Sequence, residues 1–105
     1  MILIVEDSHT QREMLRHMLE KHDFRVKAAA NGKEALTLLE WNRPLAVISD
    51  IVMPGLDGYA LCRRIKGDHN LQDIPVLLLT SLSDPDDVIT GLECGADYFI
   101  MKPYD

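Results

Sequence analysis

Five short apolar runs alternate with four amphipathic segments, and this alternation constrains the fold more than any other feature of the chain. The runs cover residues 2–5, 25–30, 45–49, 75–80 and 98–101. Several are continuously apolar, which is typical of strands that are buried on both faces of a parallel sheet. The repeated strand and helix order therefore predicts an α/β fold built on one parallel sheet.

Helix-start and helix-stop signals lie between these runs. Ser8 and Asn31 each precede Gln or Glu by three positions, which is the spacing of a capping box. Asp84 is expected to cap a later helix that has Pro85 in its first turn, and Gly95 is expected to end it. These signals predict helices in the segments that separate the strands.

Length and composition fit one small globular domain. The chain has 105 residues, of which 47% are hydrophobic and 27% are charged, unlike the composition of disordered chains. The net charge is −6. Arg63, Arg64 and Lys66 are interpreted as one solvated helix face, so direct binding to nucleic acid is not expected.

The sequence also indicates a cytoplasmic protein. The first apolar run ends at Glu6 and is too short for a signal peptide or a membrane span, so no membrane partner is expected. Cys62 and Cys94 lack the short spacing of metal ligands and are interpreted as small buried hydrophobes in a reducing compartment.

Reactive side chains stand at the ends of four of the five runs. They are Glu6 and Asp7, Asp50, Thr80, and Lys102. Ligands of open parallel sheets bind at the carboxyl ends of the strands, so we expect these groups at one edge. Three neighbouring carboxylates persist only if a cation neutralises them or if one stays protonated, and a site without His or Cys favours Mg²⁺ or Mn²⁺ over zinc. A carboxylate there can also act as a nucleophile and form an aspartyl phosphate, whose developing charge the metal and Lys102 would stabilise.

Four motifs at these positions resemble the signature of bacterial response-regulator receiver domains. They are Glu6-Asp7, DIVMPGLDG at 50–58, Leu79-Thr80-Ser81 and Lys102-Pro103. The resemblance runs from residue 2 to residue 105. It implies a flavodoxin-like fold with a five-stranded parallel sheet in the order 2-1-3-4-5 and helices on both faces.

The resemblance implies a metal site at this edge. Asp7 would bind Mg²⁺ (or Mn²⁺) directly, and Glu6 would bind it directly or through a water molecule. Asp50 and the backbone carbonyl of Val52 would complete the protein ligands.

The resemblance also implies a phosphorylation site and a switch. Asp50 would accept the phosphoryl group, while Thr80 and Lys102 would contact it. Lys102-Pro103 would carry a cis peptide bond. Thr80 and Phe99 would form the switch that changes a partner-binding surface.

The implied function is a phospho-accepting domain of a two-component phosphorelay. The phosphoryl donor would be the phosphohistidine of a histidine kinase or phosphotransfer domain, and the output domain or protein is left open. Such a domain promotes only its own phosphorylation and dephosphorylation and is not an enzyme with a separate substrate. One alternative is an interaction module that docks partners without phosphorylation. Another is a phosphatase with an Asp nucleophile, which would need a second Asp where this chain has Val52.

The chain is expected to be a receiver domain over residues 1–105 that stops before its last helix. With right-handed crossovers, the first helix covers one sheet face alone and the next three share the other. One helix, about 10 Å wide, covers about half of a face that is roughly 20–25 Å across. Apolar side chains of the last three strands would then meet water, unless a further helix, a partner or a second copy in a homodimer covers them.

Overall fold

Strands and helices alternate along the part of the chain that the structure describes. The computed structural model describes the backbone of residues 1–80 and 85–101, and the side chains of the same residues except 85–88. The strands are β1 (Ile2–Val5), β2 (Val26–Ala29), β3 (Ala46–Asp50), β4 (Val76–Thr80) and β5 (Tyr98–Met101). The helices are α1 (His9–Lys21), α2 (Gly32–Leu39), α3 (Gly58–Lys66) and α4 (Pro85–Glu93).

The strands form one parallel sheet in the order β2-β1-β3-β4-β5, which confirms the predicted topology. Val5 pairs with Ser49, so the last residue of β1 lies beside the penultimate residue of β3. Asp50 pairs with Leu79. This register brings the carboxyl ends of β1, β3 and β4 together at one edge of the sheet.

Side chains cap the first three helices. Each cap accepts a hydrogen bond from the backbone amide three residues later: Ser8 from Gln11 (3.3 Å), Asn31 from Glu34 (2.8 Å) and Asp57 from Ala60 (2.8 Å). The first two caps and the start of α4 at Pro85 confirm the predictions. Gly95 follows α4 with a left-handed φ of 88°, as its predicted stop requires. Asp84 lies outside the described residues.

The sheet separates two apolar clusters. The larger cluster joins the sheet to α2 and α3, and its buried members include Leu3, Val5, Val47, Val76, Leu78, Ala35, Leu39, Leu61 and Ile65. The smaller cluster joins the sheet to α1, and its buried members are Ile2, Ile4, Leu15, Ile48 and Leu79. Among the described residues, α1 therefore covers one face alone, as predicted.

The smaller cluster is less exposed than the argument from helix width predicts. Ile48 and Leu79 expose only 8% and 2% of their surface, so the prediction is wrong for these positions. The reason is that Leu15 of α1 packs into the same cluster and covers the centre of the face. Leu77 and Ile100 are half-buried, and the prediction holds in part for them.

Both cysteines are buried and form no disulfide. Burial, with smaller contributions from Cys94, raises the pKa of the Cys62 thiol to about 12. The thiol therefore stays protonated at neutral pH, and the interpretation of both residues as buried hydrophobes is confirmed. None of the described helices combines the length and the apolar character that a membrane crossing requires.

Candidate functional site

Three carboxylates meet at the carboxyl ends of β1 and β3. One oxygen from each of Glu6, Asp7 and Asp50 lies within 4.8 Å of the other two. Glu6 is 2% exposed, Asp50 is half-buried and Asp7 is exposed, so the cluster runs from the protein interior to the surface. The structure thus brings together the acidic residues that the sequence placed at one edge.

Glu6 is held by both its backbone and its side chain. Its amide donates to the Ala29 carbonyl at 3.0 Å, which continues the pairing beyond β1. The Ser8 amide donates to Glu6 Oε1 at 3.1 Å, and Arg12 Nη1 donates to the Glu6 carbonyl oxygen at 2.9 Å. The sequence interpretation assigned no role to Arg12. Its position one turn after the helix cap Ser8 was the available signal, because that turn lies next to the end of β1.

Asp50 is fixed by the tight backbone around it. The Ile51 amide donates to Asp50 Oδ1 at 2.8 Å, and the Ser49 hydroxyl donates to the Asp50 carbonyl oxygen at 2.8 Å. The Gly58 amide donates to the Ile51 carbonyl oxygen at 2.9 Å and holds the start of α3 against this turn. A Cβ atom on Gly58 would lie 2.3 Å from the Asp50 carbonyl oxygen. Gly58 therefore allows the close approach that sets the position of Asp50, a role that motif matching alone did not assign.

The other predicted site residues lie on neighbouring elements. Thr80 ends β4, one residue after the partner of Asp50, and is 7% exposed. Val52 follows β3 and is 68% exposed. Its hydrocarbon side chain has no atom that can bind a metal, so only its backbone carbonyl could be a ligand, and that role remains a prediction. Phe99 pairs with Leu78 and so shares a sheet face with Thr80. Lys102 and its bond to Pro103 lie outside the described residues.

The chemistry of the acidic cluster suits a hard cation. Its three ligand groups are all carboxylates, and within the described residues no His or Cys joins them. Like charges at this separation repel, so a divalent cation would stabilise the ionised cluster. Oxygen-only sets favour Mg²⁺, Mn²⁺ or Ca²⁺ over zinc.

An ion pair lies near the amino ends of β4 and β5. Lys66 Nζ is 2.7 Å from Asp97 Oδ2 and also donates to the Ile74 carbonyl oxygen at 2.8 Å. The Val76 amide donates to the same Asp97 oxygen at 2.8 Å. Burial opposes ionisation of Asp97, but the hydrogen bonds from Lys66 and Val76 and the charge of Lys66 lower its pKa. The prediction of a solvated face is wrong for Lys66 and confirmed for the two exposed arginines before it.

Comparison with known proteins finds response regulators and receiver domains. The family model described as response regulator receiver domain matches residues 2–105. A probable transcriptional regulator, ycf27, from Guillardia theta is 44% identical over 103 residues, which are 98% of this chain and 39% of that protein. The chain spans about two fifths of the length of ycf27 proteins from three organisms.

Two solved structures add detail. The receiver domain of a signal transduction histidine kinase from Syntrophus aciditrophicus is 56% identical, with a TM-score of 0.93 over 99% of this chain and 79% of that one. The receiver domain of the sensor histidine kinase PA1611 from Pseudomonas aeruginosa has a magnesium ion coordinated in its active site cleft. It is 31% identical, with a TM-score of 0.90 over 99% of this chain and 85% of that one.

Proposed function

The chain belongs to the response regulator receiver domain family, and from this membership we propose that Asp50 is its phosphoryl acceptor. It is a receiver domain of a two-component system, and its role is signalling through phosphorylation. The observation that carries the proposal is the meeting of Glu6, Asp7 and Asp50 within 4.8 Å at one edge of the sheet. The donor would be the phosphohistidine of a histidine kinase or a phosphotransfer domain.

Transfer requires one carboxylate oxygen of Asp50 to attack the phosphorus atom. The bond between phosphorus and the donor histidine nitrogen breaks, and its electron pair stays on the imidazole. The Ile51 amide, 2.8 Å from Asp50 Oδ1, fixes the plane of the carboxylate and so supports this alignment. Catalysis then consists of positioning and charge stabilisation, as in phosphoryl transfer generally.

The neighbouring residues have distinct proposed roles. Glu6, Asp7, Asp50 and the Val52 carbonyl would hold Mg²⁺ or Mn²⁺, which supplies positive charge for the carboxylates and phosphoryl oxygens when bound. Thr80 would donate a hydrogen bond to a phosphoryl oxygen. The position of Thr80 at the end of β4, one residue after the strand partner of Asp50, supports this role, because it keeps the hydroxyl on the strand next to the acceptor.

Lys102 would supply a second cation to the phosphoryl oxygens. We assign the domain no separate substrate, because it would promote only its own phosphorylation and dephosphorylation. Val52 supports that assignment, since it stands where an acid/base Asp would serve a phosphatase and cannot transfer a proton.

Phosphorylation of Asp50 would change the conformation of Thr80 and Phe99. Movement of Thr80 toward the phosphoryl group would change the space beside Phe99 and hence the surface formed by α4 and β5. This is a two-state element biased by a new local charge. An output domain or protein that binds this surface would respond, and a cytoplasmic location fits such a partner.

We also propose that residues 1–105 form one receiver domain whose smaller cluster is completed by further structure. The half-buried Leu77 and Ile100 support this proposal, because they lie on the face that α1 alone covers among the described helices. A further helix would complete this face. A second copy of the chain would be the alternative cover.

Acetyl phosphate with Mg²⁺, followed by intact-mass measurement, tests the acceptor. The wild type should gain one phosphoryl group, and Asp50→Asn should gain none, because its amide cannot act as the nucleophile. Asp57→Asn is the matched control, since Asn is an equally good helix cap and Asp57 lies outside the acidic cluster. Labelling of Asp50→Asn at the wild-type rate would show that another residue is the acceptor.

A further inference from the structure

Helix α4 has a glycine in its last turn that lies against the ring of Phe99. Gly91 is buried, and a Cβ atom built on it would lie 2.0 Å from Phe99 Cζ and 2.2 Å from Phe99 Cε1. Real Cβ atoms essentially never approach other atoms closer than 3.0 Å. The Phe99 ring therefore occupies the space that a side chain at position 91 would need.

This contact explains a residue that helix propensity disfavours. Glycine lowers the helix equilibrium constant relative to alanine, by up to about fivefold, which is the value for a helix interior. The same turn is fixed from its carbonyl side, because Cys94 Sγ donates to the Gly91 carbonyl oxygen at 2.9 Å. Phe99 itself packs against the larger cluster. The missing side chain of Gly91 thus forms a notch in α4, which we call the Gly91 notch.

We propose that Gly91 is a positioning residue of the switch, because its notch holds the Phe99 ring against α4 so that ring and helix move together. This inference rests on the proposed function, in which Phe99 responds to phosphorylation of Asp50. Phe99 pairs with Leu78, two residues before Thr80 on the same strand and face. A change at Thr80 can therefore reach α4 through the ring that fills the notch.

Substitution of Gly91 by alanine should displace the ring and leave the backbone in place. The atoms that the new Cβ would meet lie at the far end of the Phe99 side chain, which moves by rotation about its own bonds. The ring would then leave the notch and become more exposed. The contact between α4 and β5 would lose the group that couples them.

NMR of protein with ¹³C-labelled phenylalanine rings tests this displacement without adding atoms. The chain has two phenylalanines, and the second, Phe24, is 43% exposed and serves as an internal reference. Gly91→Ala should move the Phe99 ring signals toward those of exposed phenylalanine and leave Phe24 unchanged. Leu92→Ala, an exposed change on the same helix, should leave both rings unchanged.

A double-mutant cycle with Gly91→Ala and Phe99→Leu shows whether the effect of Gly91→Ala on the folding equilibrium constant depends on the Phe99 ring. In the wild-type background, Gly91→Ala should lower the folding equilibrium constant at least fivefold through overpacking. In a Phe99→Leu background the far ring atoms are gone, so the same change should raise that constant, by up to about fivefold, through helix propensity. An equal effect in both backgrounds, or unchanged Phe99 signals in Gly91→Ala, would overturn the inference.

The response to phosphorylation distinguishes this inference from the proposed function. Acetyl phosphate should label Asp50 in both proteins, because Gly91 lies outside the acidic cluster. The Phe99 signals should shift on labelling in the wild type and shift by less than half as much in Gly91→Ala. An equal shift in both proteins contradicts the coupling through the notch. Absence of labelling in the wild type contradicts the proposed function. In that case the Phe99 ring signals and the double-mutant cycle still show whether the Gly91 notch holds the ring.

Discussion

The carboxyl edge of the sheet gathers side chains of like charge, whereas its amino edge pairs side chains of opposite charge. At the carboxyl edge, Glu6, Asp7 and Asp50 place three groups of like charge within 4.8 Å. Near the amino edge, Lys66 and Asp97 place opposite charges 2.7 Å apart, and backbone groups complete their hydrogen bonds. One sheet therefore holds a site that suits an external cation and an ion pair that needs none.

This difference separates function from stability. A cluster of like charges costs free energy in the protein alone and becomes favourable when a cation binds there. A paired and hydrogen-bonded charge contributes to folding whether or not a ligand is present. Changes to the acidic side chains of the carboxyl edge should therefore alter ligand-dependent properties, whereas changes to the ion pair should alter the free energy of unfolding.

The largest expected effect is that of Gly58→Ala, which should displace the backbone that positions Asp50 at the carboxyl edge. Its Cβ would collide with the backbone at Asp50 and Ile51, at 2.3 Å and 2.8 Å. We expect a loss of about 3 kcal/mol of unfolding free energy and slower phosphorylation by acetyl phosphate. Urea unfolding measures the first effect, and intact mass measures the second. A variant with wild-type values for both would mean that the backbone contact at Gly58 does not set the position of Asp50.

Asp7→Asn should remove much of the stabilisation that Mg²⁺ provides. At a concentration near one hundred times the Kd, a ligand that binds only the native state adds about 2.7 kcal/mol. The variant should retain less than half of this gain, because one carboxylate of the cluster is gone. Thermal unfolding with and without Mg²⁺ measures the difference. Asp73→Asn, an exposed change of the same charge away from the cluster, should retain the full gain. A full gain in Asp7→Asn would rule out Asp7 as a ligand.

Lys66→Met should destabilise the protein equally with and without Mg²⁺. The change keeps most of the length of the side chain but removes the charged group that contacts Asp97 and the Ile74 carbonyl. Loss of these charged hydrogen bonds should cost about 1–2 kcal/mol. Arg63→Met, an exposed change on the same helix, is the control and should cost much less. If both variants unfold at the same urea concentration, the ion pair adds nothing measurable to folding.

The smallest expected effect is the pH dependence from Asp97. Its pKa in the folded protein lies below the usual value, so the unfolded state binds the proton more tightly and acid favours unfolding. The contribution is complete above the usual pKa, about 3.9, and is lost as pH falls through the lower folded value. The stability difference between wild type and Asp97→Asn should thus be constant from neutral pH down to about pH 5 and should narrow below about pH 4. A difference that widens in acid would reverse the assigned direction.

The sequence predicted the architecture because local patterns and one topological rule are sufficient for it. Buried parallel strands need continuous apolar runs, and helices between them need caps such as Ser8 and Asn31, so element order was readable without contacts. The acidic cluster was readable for a related reason. Each of its residues follows a predicted strand within two positions, and parallel strands bring such ends to one edge.

Contacts between residues that are distant in the chain were decided by the tertiary structure. Lys66 and Asp97 are separated by 31 positions, and no local pattern in the sequence predicts that their side chains meet. The sequence likewise shows Gly91 as a weak helix former, and only packing reveals the Phe99 ring against it. Side-chain periodicity and chain order fix which elements form and where strand ends lie, whereas the pairing of particular side chains depends on packing in three dimensions.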